Sequence, residues 1–246
     1  MYKPPSPAPL KQKQPLFNIP MIMLIFIALI IALHSWLNYI SQGQKTYEFL
    51  IEFSFIPVLF SSLLQPSEFI ELQKFSTLSI LISLVSYSFL HMDGTHLLFN
   101  LIWLVIFGSP LSRHLGAMRF TFFWITTAIL SALSYFLFNS MSTIPMIGAS
   151  GVVSALMGAA ARYGFYRNLH ASLPLLSMRT TLQNNGVLMF VGIFIAVNLT
   201  IGFGLILPWN ETFNIAWETH IGGLVSGFVL IGLFEKKEDC YGESSQ

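Results

Sequence analysis

The sequence predicts an all-α, polytopic membrane protein with six transmembrane helices. Of its 246 residues, 54% are hydrophobic and only 9% charged, whereas a soluble domain carries about 25% charged residues. Six apolar runs approach the roughly 20 residues that a helix needs to cross a bilayer. The lysines and arginines then sort to one side of a six-span arrangement, as the positive-inside rule requires.

The elements follow in order. Residues 1–19 contain Pro4, Pro5, Pro7, Pro9 and Pro15 with three lysines, a composition that predicts a disordered, extended tail. The membrane domain runs from 20 to 234, with spans at roughly 20–40, 93–111, 117–139, 149–166, 186–207 and 215–234. The first run is long and lacks a small-residue cleavage site, so it reads as a retained span and not a signal peptide. Leu78 to Leu90 is apolar but only 13 residues long, which suits an interfacial or re-entrant piece better than a seventh span. Residues 235–246 form a polar C-terminal tail.

Charge sets the orientation. Lys3, Lys11, Lys13, Arg113, Arg119, Arg162, Arg167, Arg179, Lys236 and Lys237 fall on one side, leaving Lys45 and Lys74 on the other. Both termini are therefore expected to be cytoplasmic. The formal net charge of +1 comes with no basic cluster, so nucleic acid is not a partner the sequence suggests. Cys240 is the only cysteine, which excludes an intrachain disulfide framework and a cysteine-based metal site.

Three polar pieces interrupt the apolar runs: His91-Met92-Asp93-Gly94-Thr95-His96-Leu97-Leu98-Phe99-Asn100 before and within span two, Gly148-Ala149-Ser150-Gly151 opening span four, and Thr219-His220-Ile221-Gly222-Gly223 opening span six. All lie towards the non-cytoplasmic ends of their spans and share one depth. His96 and Asn100 are four apart and point to one helix face. Ser150, Ser154 and Gly158 recur every four residues, as do Gly151, Ala155 and Ala159, while Gly223 and Gly227 share the face of His220. Such stripes let helix backbones approach closely, which would bring the Ser150 hydroxyl to His220. A serine beside a histidine is the pairing of nucleophile and general base. A helix N-terminus at Ser150 also suits a developing oxyanion.

Taken singly, Ser150 reads as a packing residue and Asn100 as an interhelical hydrogen-bonding group. The joint pattern reverses that reading. Zinc chemistry lacks a His-Glu-x-x-His pattern, and no lysine lies within a span to make a Ser–Lys pair. The second glycine of a Gly-x-Ser-x-Gly elbow is replaced by Val152. A haem held by His96 and His220 would leave Ser150 and Asn100 unexplained, and a transporter would need discontinuous repeats that are not visible. His34, His114 and His170 read as solvated or interfacial, and His91 as a brace for the first loop. Glu218, two residues from His220, faces elsewhere, so orientation of the ring is expected from helix packing and neutral hydrogen bonds, with Ser154 a candidate neighbour.

With these motifs in this order, the chain resembles the rhomboid-family intramembrane serine proteases. The resemblance rests on His96 and Asn100, on Ser150 in its Gly-Ala-Ser-Gly context and on His220 before Ile221-Gly222-Gly223, and it covers most of residues 20–234. It implies a six-helix bundle with Ser150 as nucleophile and His220 as base, reached by water from the non-cytoplasmic side. His96, Asn100 and the Ser150 amide would stabilise the oxyanion, with no cofactor and no metal. Residues 41–91 would be the membrane-associated first loop, and Phe99 with span five would border the lateral entry of a substrate helix. The implied partners are membrane proteins with a transmembrane segment and the lipid bilayer itself, and the implied location is the inner (cell) membrane of a bacterium. Three positions depart from the family pattern: the first loop has neither Trp nor Arg, Ser112 stands four residues after Gly108 where a Glu is common, and Ser154 stands where some members carry a Tyr. A catalytically inert relative that binds membrane clients is the competing expectation.

Overall fold

A computed structural model describes residues 19–40, 43–165, 175–203 and 216–235. The proline-rich N-terminal tail, the C-terminal tail, His170 and Arg167 lie outside the described residues. Within them the chain is nearly all helical, with a single isolated β-bridge between Phe55 and Met146.

Helix α1 (Met21–Ser35) continues through a π-type turn to Ile40. Three helices then form the first loop: α2 (Gln44–Phe53), α3 (Pro57–Leu64) and α4 (Thr77–Ser86). Helix α5 (Gly94–Trp103) passes through a π-type turn into α6 (Ser109–Leu115), making one element of 22 residues. Next come α7 (Ala117–Asn139), α8 (Ser150–Ala161), the short α9 (Met178–Leu182), α10 (Asn185–Gly202) and α11 (Trp217–Leu230). Four of these elements, at Met21–Tyr39, Gly94–Leu115, Ala117–Asn139 and Asn185–Gly202, are long and apolar enough to cross a membrane. Of the three shorter apolar helices, Thr77–Phe89 belongs to the first loop, while α8 and α11 complete a set of six. Together the six make an all-α polytopic membrane bundle.

The differences from expectation have local causes. The fourth span is shorter than 149–166 because the chain leaves helical geometry after Ala161, with Gly164 and Phe165 at positive φ. At 1.5 Å per residue, a 12-residue helix is only about 18 Å long. It is tolerated because α8 is wrapped by protein, with ten of its twelve residues buried. The second span runs on to Leu115, since Pro110 sits in the first turn of α6, where a missing N–H costs little.

Helix α11 makes its most extensive contact with α8, then with α7. That closeness depends on the absence of side chains. A Cβ on Gly223 would lie 2.1 Å from the Gly151 carbonyl oxygen, and one on Gly227 would lie 1.9 Å from that of Ala155. The two small-residue stripes therefore meet backbone to backbone, a mode suited to a membrane, where apolar burial gives helices no drive to associate. By contrast, only Val187 and Asn198 are buried on α10.

The first loop is tied to the bundle without the Trp-Arg pair. Phe55 and Met146 exchange both backbone hydrogen bonds, Val58 N–H donates to the Ser142 carbonyl at 3.1 Å, and Ser61 donates to the Ser140 carbonyl at 2.8 Å. Tyr87 donates to the Ala128 carbonyl at 2.9 Å, and Trp124 donates to Ser88 at 3.0 Å. All these partners on the loop's far side belong to α7 or to the segment leading into Ser150.

Candidate active site

Each chemical group is delivered by a helix end. Asp93 caps α5, its carboxylate accepting from the Thr95 and His96 amides at 2.8 and 2.9 Å. Those hydrogen bonds, the one from His96 first, hold its carboxyl below the ordinary carboxylate range. The cap fixes where α5 starts, and so where His96 and Asn100 project. Asn100 is buried and gives one of its two amide N–H groups to the His96 carbonyl at 2.9 Å.

The chain before α8 turns at Gly148, whose φ of +125° suits glycine alone. A Cβ there would sit 2.8 Å from both Cε1 and Nε2 of His96 and 3.7 Å from Ser150 Oγ. The His96 ring edge therefore closes on the Gly148-Ala149-Ser150 turn. That turn is held from the other side, with the Gly148 N–H donating to the Tyr87 carbonyl at 3.0 Å and the Ala149 N–H to His91 Nε2 at 3.4 Å.

Ser150 is the first residue of α8 and His220 lies in the first turn of α11. Their side chains meet, with Ser150 Oγ 2.8 Å from His220 Nε2. Both are half-buried. The other ring nitrogen, Nδ1, lies 2.6 Å from Asn198 Oδ1 on α10. Ser154 does not orient the ring as expected; its hydroxyl donates to the Ser150 carbonyl at 2.7 Å. Glu218 points elsewhere, accepting from Asn139 Nδ2 at 3.0 Å. Phe99 is 58% exposed on the outer surface of α5.

Two histidines read as solvated are in fact buried. His34, at the end of α1, donates through Nδ1 to the His91 carbonyl at 3.3 Å. His114 pairs with Glu235 at 2.9 Å. Sequence position placed both at span ends but could not show that a partner waited there. Asn198 was missed altogether, although an amide inside an otherwise apolar run is itself a signal of interhelical hydrogen bonding. Among the described residues no group of His, Cys, Asp and Glu is arranged to hold a metal ion.

A helical membrane bundle that presses a serine hydroxyl against an imidazole defines a class of membrane protein with hydrolase-like geometry. Residues 79–237 match the family model of the Rhomboid domain, and the chain belongs to the rhomboid family. It is 34% identical over 152 residues to RHOMBOID-like protein 6, mitochondrial, of Arabidopsis thaliana, covering 60% of this chain and 41% of that one. It is 30% identical over 151 residues to RHOMBOID-like protein 4 of the same plant, covering 60% and 32%. It is also 29% identical over 145 residues to Rhomboid protease GlpG of Haemophilus influenzae, covering 59% and 65%. The matched region thus spans between a third and two thirds of these relatives' lengths.

Proposed function

We propose that this protein is an intramembrane serine endopeptidase that cleaves transmembrane segments of other membrane proteins. The observation that carries this reading is the 2.8 Å approach of Ser150 Oγ to His220 Nε2 at the mouth of two tightly packed helices. In the proposed reaction the Ser150 O–H proton passes to Nε2 as Oγ bonds to the scissile carbonyl carbon. The carbonyl electron pair moves onto oxygen, where the Ser150 amide at the α8 N-terminus, His96 and Asn100 donate to it. The C–N bond then breaks, the imidazolium protonates the leaving amine, and an acyl-serine remains. Water repeats the sequence, giving its proton to His220, and collapse releases the acid as Ser150 recovers the proton.

The charge split of ten cations to two supports cytoplasmic termini, with the site reached from the opposite side; a bacterial cell membrane is the location proposed with this reading. Phe99 and the sparsely buried α10 are proposed to border the route by which a substrate helix enters. The test is cleavage of a single-span membrane protein in proteoliposomes by wild type and by Ser150→Ala. Cleavage by wild type alone supports the reading. Tight binding of the substrate with no cleavage by either protein would make the chain an inert client binder.

A further inference from the structure

We infer that Asn198 is the positioning residue of the dyad, a neutral amide doing from α10 what a carboxylate does in a soluble triad. The inference rests on the catalytic reading above and goes beyond it.

The Asn198 Nδ2 group donates to the Phe194 carbonyl of its own helix at 2.8 Å. Reversing the amide would set its oxygen against that carbonyl, so Oδ1 must be the atom that faces His220. Oδ1 can only accept. At 2.6 Å, His220 Nδ1 must therefore carry the proton. A neutral imidazole with a proton on Nδ1 has its lone pair on Nε2, and Ser150 must donate its hydroxyl to it. One hydrogen bond accepted by Asn198 thus selects the only tautomer in which His220 can act as base. When His220 becomes the imidazolium, the same oxygen faces the Nδ1–H of the cation.

The neighbouring groups leave this task to Asn198. Ser154 spends its hydroxyl on the Ser150 carbonyl, and Glu218 is engaged by Asn139. Asn198 is the one polar residue buried on α10, lying at the end of a stripe of Phe190, Val191, Phe194 and Ile195 that faces the bundle. Only Val187 and Asn198 are buried on α10, so this amide also links the placement of α10 to the readiness of the dyad.

Three proteins test the inference: wild type, Asn198→Leu, which keeps the volume without the acceptor, and Asn198→Asp, which restores an acceptor. The readouts are the pseudo-first-order rate of labelling by a fluorophosphonate and the ¹⁵N spectrum of selectively labelled histidine, which reports which ring nitrogen carries the proton. Asn198→Leu should label about tenfold more slowly, near the upper range for a lost neutral hydrogen bond, and its His220 signal should lose Nδ1–H character. Asn198→Asp should recover most of the rate. If Asn198→Leu fails to fold, Asn198→Ala carries the same comparison. Equal labelling rates, or a slowed variant whose His220 tautomer is unchanged, overturn the inference and leave Asn198 a packing residue. A folded wild-type protein that never labels overturns instead the catalytic reading on which it stands.

Discussion

Adding one methyl group at Gly223 probes how tightly the two helices carrying Ser150 and His220 must pack. A Cβ at that position lies 2.1 Å from the Gly151 carbonyl oxygen, whereas real Cβ contacts are essentially never under 3.0 Å. The obstacle is backbone, so no rotamer change relieves it and the helices must part by close to an ångström at the level of the site. Gly223 is one turn from His220, and Gly151 follows Ser150. The 2.8 Å hydrogen bond between Ser150 and His220 would then stretch beyond the upper limit of about 3.2 Å. Overpacking of this kind typically costs about 1–3 kcal/mol of stability, and a 1 Å misplacement of reacting groups can cost on the order of 10² in rate. Gly223→Ala is therefore expected to lose about 10²-fold in fluorophosphonate labelling while still folding, with a lowered Tm. Gly192→Ala on α10 is the control, since a Cβ there meets nothing within 4 Å, and it should be neutral. A Gly223→Ala protein that labels within about threefold of wild type would refute the claim that backbone contact sets the dyad distance.

Four further outcomes follow from the same geometry. Asn100→Ala should lower kcat by on the order of 10²–10³ with little change in KM if Asn100 donates to the oxyanion, whereas a pure KM effect would make it a substrate-binding residue. Asp93→Ala should cost about 0.5–2 kcal/mol in thermal or denaturant unfolding through loss of the α5 cap, while Asp93→Asn, a comparable cap, should lose little. The Asp93 carboxyl is held below its ordinary value of 3.8, so the part of its contribution that depends on ionisation is complete above that pH and is lost as pH falls through the lowered folded value; the stability gap between wild type and Asp93→Ala should narrow there to what a neutral cap supplies. Glu218→Gln should retain most of kcat because its carboxylate is turned to Asn139, and a loss near the ~10⁴ factor of a neutralised triad acid would refute that. Cysteines placed at Arg119 and Glu68 should be accessible from opposite sides of the membrane, and same-side labelling would end the six-span topology.

The helices were legible because apolar runs of bilayer length are a strong and nearly context-free signal. The meeting of α8 and α11 was legible for a related reason: glycines and alanines spaced by four can serve little else along an apolar helix than close approach. What escaped the sequence depends on the third dimension. Nothing in the run around Asn198 tells that its amide oxygen ends against His220. Ser154, at helical spacing from Ser150, looked like a neighbour of the ring, but a serine inside a helix commonly turns its hydroxyl to a carbonyl four residues back, and it does so here. His34 and His114 sit at span ends, where solvent was the simplest assumption; their burial depends on the His91 carbonyl and Glu235, each distant in sequence.

The central claim, that Ser150 is a nucleophile activated by His220, is tested most directly by mass spectrometry of the fluorophosphonate-treated protein in detergent or bilayer. The account predicts one phosphonyl adduct on the peptide containing Ser150, formed by wild type and absent from both Ser150→Ala and His220→Ala proteins that retain the wild-type fold. An adduct that persists in Ser150→Ala, or a folded wild type that acquires none, would contradict it.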